Sequence, residues 1–195
     1  MTNHINVVEL QEILNNWDID CDVNLILSAW NKPYRFYHNM SHLVDLLNLI
    51  NADKSKLSKK DYEKLVITAV FHDYIYNPTR TDNEEQSVKS FMECVLTINK
   101  KDKDILEIKQ MILNTKNHYS NTFLSKIFNN YDMDIVKRDF VKLLNWEKGI
   151  YQEYNYLSDA VYKKNRLSFL KSIICENSNN SDNLLKLIDW VDENY

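Results

Sequence analysis

The sequence predicts an all-α fold, a helical bundle of seven to nine helices in one domain. Two observations predict it. In 195 residues there is one glycine, Gly149, and there are two prolines, where average usage would supply about 14 and about 10, so turn-rich architectures lack their raw material. Between the few breakers, apolar residues recur at intervals of three and four, the period of one helix face, and the connecting stretches are rich in Asn, Asp, Ser and Lys.

The elements follow in order. Val7, Leu10, Leu14 and Trp17 mark one face, and Leu43, Leu46, Leu47 and Ile50 mark a second. Segment 59–76 opens on the polar run Ser58 to Asp61 and turns apolar on all sides from Leu65 to Phe71, as expected of the central helix of a bundle. The acids of Asp82 to Glu85 suit the first turn of the next helix, which runs to about Ile98 before the charged stretch Asn99 to Asp104 interrupts it. A helix over about 104–116 carries Ile105, Ile108, Ile112 and Leu113. A longer one over about 132–156 carries Val136, Phe140, Leu143, Leu144 and Trp146. Two helices, about 159–175 and 181–193, close the chain around a loop from Glu176 to Asp182, whose short polar side chains compete with the helical backbone. No internal repeat and no long linker divides residues 1–195, and 44% apolar residues suffice for one sizeable core.

The same composition excludes whole classes of function. Phosphate cradles of the G-x-G-x-x-G and G-x-x-x-x-G-K-[ST] types and the G-x-S-x-G nucleophile elbow need several glycines, and one cannot supply them. A net charge of −4 gives no positive field for a nucleic-acid polymer or an anionic membrane. Cys21, Cys94 and Cys175 lie far apart with no C-x-x-C, which reads as reduced, buried and inert thiols of a cytoplasmic protein. The polar start, Met1 to Leu14, has no export signal, and the longest apolar run is too short to span a membrane.

Four of the five histidines sit in patterned surroundings; His4 stands apart. His38 and His42 are one helical turn apart and share a face. His72 and Asp73 are adjacent, splayed by about 100° on a helix, and meet one ion only near a helix end. An ionised Asp directly after the most apolar segment is costly to bury without compensation, and a divalent cation compensates it.

These residues resemble the HD-domain superfamily of metal-dependent phosphohydrolases, with its order H…HD…D on helices. They are closer still to a subfamily known as predicted metal-dependent HD phosphohydrolases. The shared strings are Tyr37-His38-Asn39-Met40-Ser41-His42, Phe71-His72-Asp73-Tyr74-Ile75-Tyr76, Asn83-Glu84-Glu85-Gln86-Ser87, Thr115-Lys116-Asn117-His118 and Asp132-Met133-Asp134-Ile135. Their order and rough spacing hold over about residues 30–170, with Arg166 to Leu170 similar to the family's C-terminal helix. The first string also resembles the metal-site motif of mammalian cyclic-nucleotide phosphodiesterases.

The resemblance implies an HD-type bundle, the helices at either end packing on the motif-bearing core. It implies His42, His72 and Asp73 as metal ligands and His38 as proton donor to the leaving oxygen. For the last ligand the family pattern favours Asp134, whereas helical phase favours Asp132, four residues before Val136. Asp134 is the choice, since a ligand at a helix start need not follow the core phase. Two His and two Asp suit one or two ions of Mn, Mg, Fe, Co or Zn, and an ion-activated water attacking a small phosphate ester, by resemblance a nucleotide, needs no covalent nucleophile. Glu84 is a candidate for orienting that water, and Lys116, His118 and Arg35 for holding substrate, with Arg80 and Arg166 as further cations. The ordinary alternatives are first-turn acids, solvated cations and a core histidine. Asp45 is either an orienting partner of His42 or simply exposed, and Tyr34, Phe36 and Tyr37 read as core packing before a base pocket. A catalytically silent metal- or nucleotide-binding regulatory module is the rival reading, and a di-iron oxygenase a third. The partner expected is a small phosphorylated substrate, with a homo-oligomer left open.

Overall fold

The computed structural model describes residues 6–118, 122–174 and 181–195. These residues form ten α-helices: α1 (Val7–Asn16), α2 (Val23–Trp30), α3 (Met40–Ala52), α4 (Lys59–Phe71), α5 (Asn83–Cys94), α6 (Lys103–Asn114), α7 (Phe123–Asp132), α8 (Phe140–Glu153), α9 (Asp159–Ile174) and α10 (Ser181–Asn194). Short 3-10 turns lie at Lys54–Lys56, Thr97–Asn99 and Met133–Lys137. The fold is all-α, as the scarcity of glycine requires. The count exceeds nine because α2 and α7 are helices that the sequence reading passed over. Among the described residues no helix is long and apolar enough to cross a membrane. His4 and Cys175 lie outside the described residues, as does most of the loop read at 176–182.

The chain divides into two compact units, Met1–Asp132 and Met133–Tyr195. In the first, α4 is central: α1, α3, α5, α6 and α7 all pack on it, and every residue from Tyr62 to Phe71 is buried. The polar members of that stretch are satisfied. Thr68 Oγ1 donates to the Lys64 carbonyl at 2.8 Å, Trp17 Nε1 donates to Glu63 at 2.9 Å, and Lys64 Nζ lies 2.6 Å from both Asp104 and Glu107. Without those partners, an acid and an amine so deep would be strongly destabilising. Leu43, Leu46, Ile50, Phe91, Ile108, Ile112 and Phe128 complete the core around α4.

Helix α4 stops at Phe71, five residues before the expected 76. His72 caps it, its N–H donating to the Thr68 carbonyl at 2.8 Å. The chain from Asp73 onward leaves the helix because other groups take over its backbone. Arg35 binds the carbonyls of Asp73 (2.9 Å) and Tyr74 (3.0 Å), and Ser87 Oγ bridges the N–H and carbonyl of Ile75 (3.0 and 3.2 Å). Asn83 does the same for Asn77, accepting from its N–H at 3.0 Å and donating to its carbonyl at 2.9 Å. Asn83 and Ser87, both in a shared string, thus hold a loop in place.

In the second unit, the helix expected over 132–156 begins only at Phe140, capped by Asp139, which accepts from the Lys142 N–H at 3.0 Å. α10 packs on α8 and α9, burying Leu143, Leu170, Leu184, Leu187 and Val191. Fully buried Glu147 accepts from Tyr162 Oη and Arg166 Nε, each at 2.6 Å, and Arg166 lies 4.2 Å over the Trp146 ring. Arg166 is therefore an internal ion-pair partner here and not a solvated cation.

Candidate metal centre

The site of the first unit is assembled from three helix ends. Asn39 caps α3, its side chain accepting from the Ser41 N–H at 2.8 Å and donating to the carbonyls of Arg35 (3.3 Å) and Phe36 (3.0 Å). This fixes the helix start and puts His42 in the first turn. His72 and Asp73 come from the C-terminal end of α4. Asp132 is the last residue of α7, one turn after the buried Phe128.

Ligand atoms of His42, His72 and Asp73 all lie within 4.8 Å of one another. Asp132 faces the same place: its Oδ1 is 3.2 Å from His42 Nε2 and 3.5 Å from His72 Nε2, and its Oδ2 is 3.3 Å from His118 Nε2. Asp134, the chosen last ligand, is engaged otherwise, paired with Arg138 and, at 3.8 Å, with Lys137. The reason is the helix boundary. α7 ends at Asp132 and a 3-10 turn follows, so the phase that matters is set upstream by Phe128 and brings Asp132 inward.

The decisive atom is His72 Nε2. The ring is 1% exposed, and its Nδ1 lies 2.9 Å from the Ala69 carbonyl, an acceptor, so Nδ1 carries the proton. Nε2 is left buried without a hydrogen bond, facing Asp73 Oδ2 at 3.2 Å and Asp132 Oδ1 at 3.5 Å. A lone pair aimed between two carboxylates is unfavourable unless a cation lies there. Either a second proton or a metal ion answers, and a backbone carbonyl on the far nitrogen is the usual orienting partner of a metal-bound imidazole. The donor set therefore fits a divalent ion.

Electrostatics agree. Burial works against the charge on Asp132, but His72, His118 and His42 outweigh it and hold its carboxyl well below the usual range. Asp73 is likewise held low: His72 and His38 overcome its burial. For His72, burial disfavours the cation, yet the two carboxylates raise its pKa well above the ordinary value. These are groups whose charges already compensate one another around one point.

Aromatic rings wall the centre. Trp30, held by its Nε1 donating to the Val70 carbonyl at 3.1 Å, has its ring 5.4 Å from His72, and the Phe128 ring lies 5.5 Å from the same imidazole. His38 stacks on Tyr76 at 4.3 Å and lies 6.0 Å from His42. Tyr37 sits 5.0 Å from both imidazoles, whereas Tyr34 and Phe36, expected in a core, are exposed.

The remaining candidates fall into place or away. Glu84 is half-buried, and burial together with the nearby Asp73 raises its pKa. Lys116 Nζ donates to Thr81 O (2.7 Å) and Glu85 (2.6 Å) and lies 4.0 Å from Glu84, tying the start of α5 to the end of α6. His118 reaches Asp132 from a backbone with φ 51°. Arg35, a candidate substrate contact, is instead buried among backbone carbonyls, with its guanidinium 5.2 Å over the Trp30 ring. Arg80 pairs with Asp82 at 2.6 Å on the surface, and Asp45 is exposed. The residues that sequence reasoning left out are Trp30 and Phe128, whose signal was the unread helices α2 and α7. Comparison of the chain with protein-family models, curated proteins and solved structures finds no match in any of the three.

Proposed function

We propose that the chain is a metal-dependent phosphohydrolase of the HD type, acting on small phosphate esters such as nucleotides. The observation that carries this reading is the buried, hydrogen-bond-free Nε2 of His72 between Asp73 and Asp132. His42, His72, Asp73 and Asp132 would hold a divalent ion of Mn, Mg, Fe, Co or Zn. Such an ion, when bound, lowers the pKa of a water and polarises a phosphoryl group.

The chain's own residues do the rest. His38, oriented by its stack on Tyr76, gives a proton to the leaving oxygen. Glu84 keeps its carboxyl in a less solvated place beside Asp73, where it accepts a proton from the attacking water. Lys116, bonded to Glu85 and close to Glu84, holds that carboxyl's helix turn and adds positive charge near the substrate. Trp30 and Phe128 keep bulk water from the imidazoles.

The test is metal analysis of untagged protein reconstituted separately with each ion, followed by a panel of phosphomonoesters, phosphodiesters and pyrophosphates. Stoichiometric metal and turnover abolished by Asp73→Ala are expected. No metal above background overturns the reading, and residual activity equal in the variant identifies a contaminant. Stoichiometric metal with no turnover across the panel leaves the regulatory module in its place.

A further inference from the structure

The first unit holds a second pair of reactive groups that the metal centre does not use. Cys21, in the loop between α1 and α2, and Cys94, the last residue of α5, are distant in sequence but lie close enough that each thiol shifts the pKa of the other. The backbone brings them together. Ile19 pairs with Val95 in an isolated antiparallel bridge, the Asp20 N–H donates to the Cys94 carbonyl at 2.8 Å, and the Leu96 N–H donates to the Asp18 carbonyl at 3.1 Å. Cys21 then turns back, its N–H reaching the Ile19 carbonyl at 3.1 Å. Both thiols are free and half-buried, packed on the apolar core at one side and open at the other. Among the described residues the metal-ligating group is His42, His72 and Asp73, so no third ligand converts the sulfur pair into an ion site.

We propose that Cys21 and Cys94 form a peroxide-sensitive thiol pair that closes to a reversible disulfide, stapling the α1–α2 loop to the end of α5. The contact with Cys94 lowers the pKa of Cys21 against the opposing effects of burial and of Asp22 and Asp20, while the contact with Cys21 and burial push Cys94 up. In the proposed sequence Cys21 is the attacking sulfur. Its thiolate attacks hydrogen peroxide: an S–O bond forms, the O–O bond breaks, and the departing hydroxide takes up a proton, leaving a sulfenic acid. Cys94 sulfur then attacks Cys21 sulfur. The S–S bond forms, the S–O bond breaks, and the hydroxide leaves as water with the Cys94 proton. Two thiols lose two electrons and two protons in all, and one peroxide becomes two waters.

The closed loop would contain Arg35, His38, His42, His72 and Asp73. Burial and, after it, the nearby Cys21 and Cys94 raise the pKa of Tyr74, the residue next to Asp73. The cross-link itself does not depend on the phosphohydrolase reading.

Reduced, full-length protein is treated with a stoichiometric amount of hydrogen peroxide, alkylated and digested without reductant. The expected product is one intramolecular peptide pair joined through Cys21 and Cys94 and lighter by two hydrogens. The melting temperature should rise by roughly 5–10 °C, since a long loop is closed in the unfolded chain, and dithiothreitol should reverse the shift. Cys94→Ser should leave a sulfenic acid at Cys21 that dimedone labels, whereas Cys175→Ser should change nothing. Disulfide-linked dimers, a cross-link to Cys175, or sulfinic acid at either residue without cross-linking would each overturn the proposal. The wild-type peptide map decides this even if a variant fails to fold.

Discussion

The Arg35 guanidinium donates to the Asp73 carbonyl at 2.9 Å, and the same side chain reaches the carbonyls of His38 at 3.0 Å and Tyr74 at 3.0 Å. One buried cation therefore sets the spacing between the chain that enters α3 and the chain that leaves α4. Both segments carry residues of the candidate site, so its geometry depends on Arg35.

Arg35→Lys should consequently behave as a folding variant. A lysine cannot span three carbonyls with a planar fork, and the loss should be about 2–4 kcal/mol of unfolding free energy in urea titrations. Metal affinity should fall with it. A change confined to KM, with stability intact, would return Arg35 to the substrate contacts.

Asp132→Asn and Asp134→Asn separate the two candidate ligands. Asp132→Asn should weaken metal binding at least about 100-fold by isothermal titration, because a ligand and the partner of three imidazoles are lost together. Asp134→Asn should leave affinity within a few-fold and cost only its pairing with Arg138 and Lys137. The opposite ranking would restore Asp134.

Helical phase in this stretch was readable, but only with the correct helix. Leu124, Phe128 and Asp132 fall at intervals of four, and extending them upstream reveals α7. Read downstream from 132, the same aspartate has only Val136 as its guide. α2 escaped for a related reason: at eight residues it offers just Val23, Ile26 and Trp30 as its buried face. The longer helices were legible because each has a strong periodic apolar run, whereas the grouping of His42, His72 and Asp73 was expected from the resemblance that their strings carry. Early exits from helices, as at Phe71, were not. They depend on Arg35 and Ser87 capturing the backbone from far along the chain.

Glu84→Gln should lower kcat by about 100-fold or more while leaving metal stoichiometry unchanged, if Glu84 moves the proton of the attacking water. Equal kcat in the variant would make it an ordinary acid of the first turn of α5.

Stability at low pH should depend on Asp104. Burial opposes its charge, but Lys60 and Lys64 hold its pKa below the ordinary value. A depressed carboxyl adds stability above its unfolded pKa, near pH 4, and loses it as pH falls through the folded value. Lys64, raised because Asp104 and Glu107 outweigh its burial, adds stability below its unfolded pKa, near 10.4, and loses it above. Asp104→Asn should therefore cost about 1–3 kcal/mol at neutral pH and flatten the acid limb of a melting-temperature profile. An acid limb identical to wild type would contradict the assignment.

His118 occupies left-handed backbone at φ 51°, a conformation that glycine adopts freely and other residues do not. In a chain with a single glycine, that position is given to an imidazole. His118→Gly should then relax the backbone while deleting the group that meets Asp132 Oδ2 and helps compensate its burial. Backbone ease and the compensation of a buried carboxylate are thus opposed at one codon.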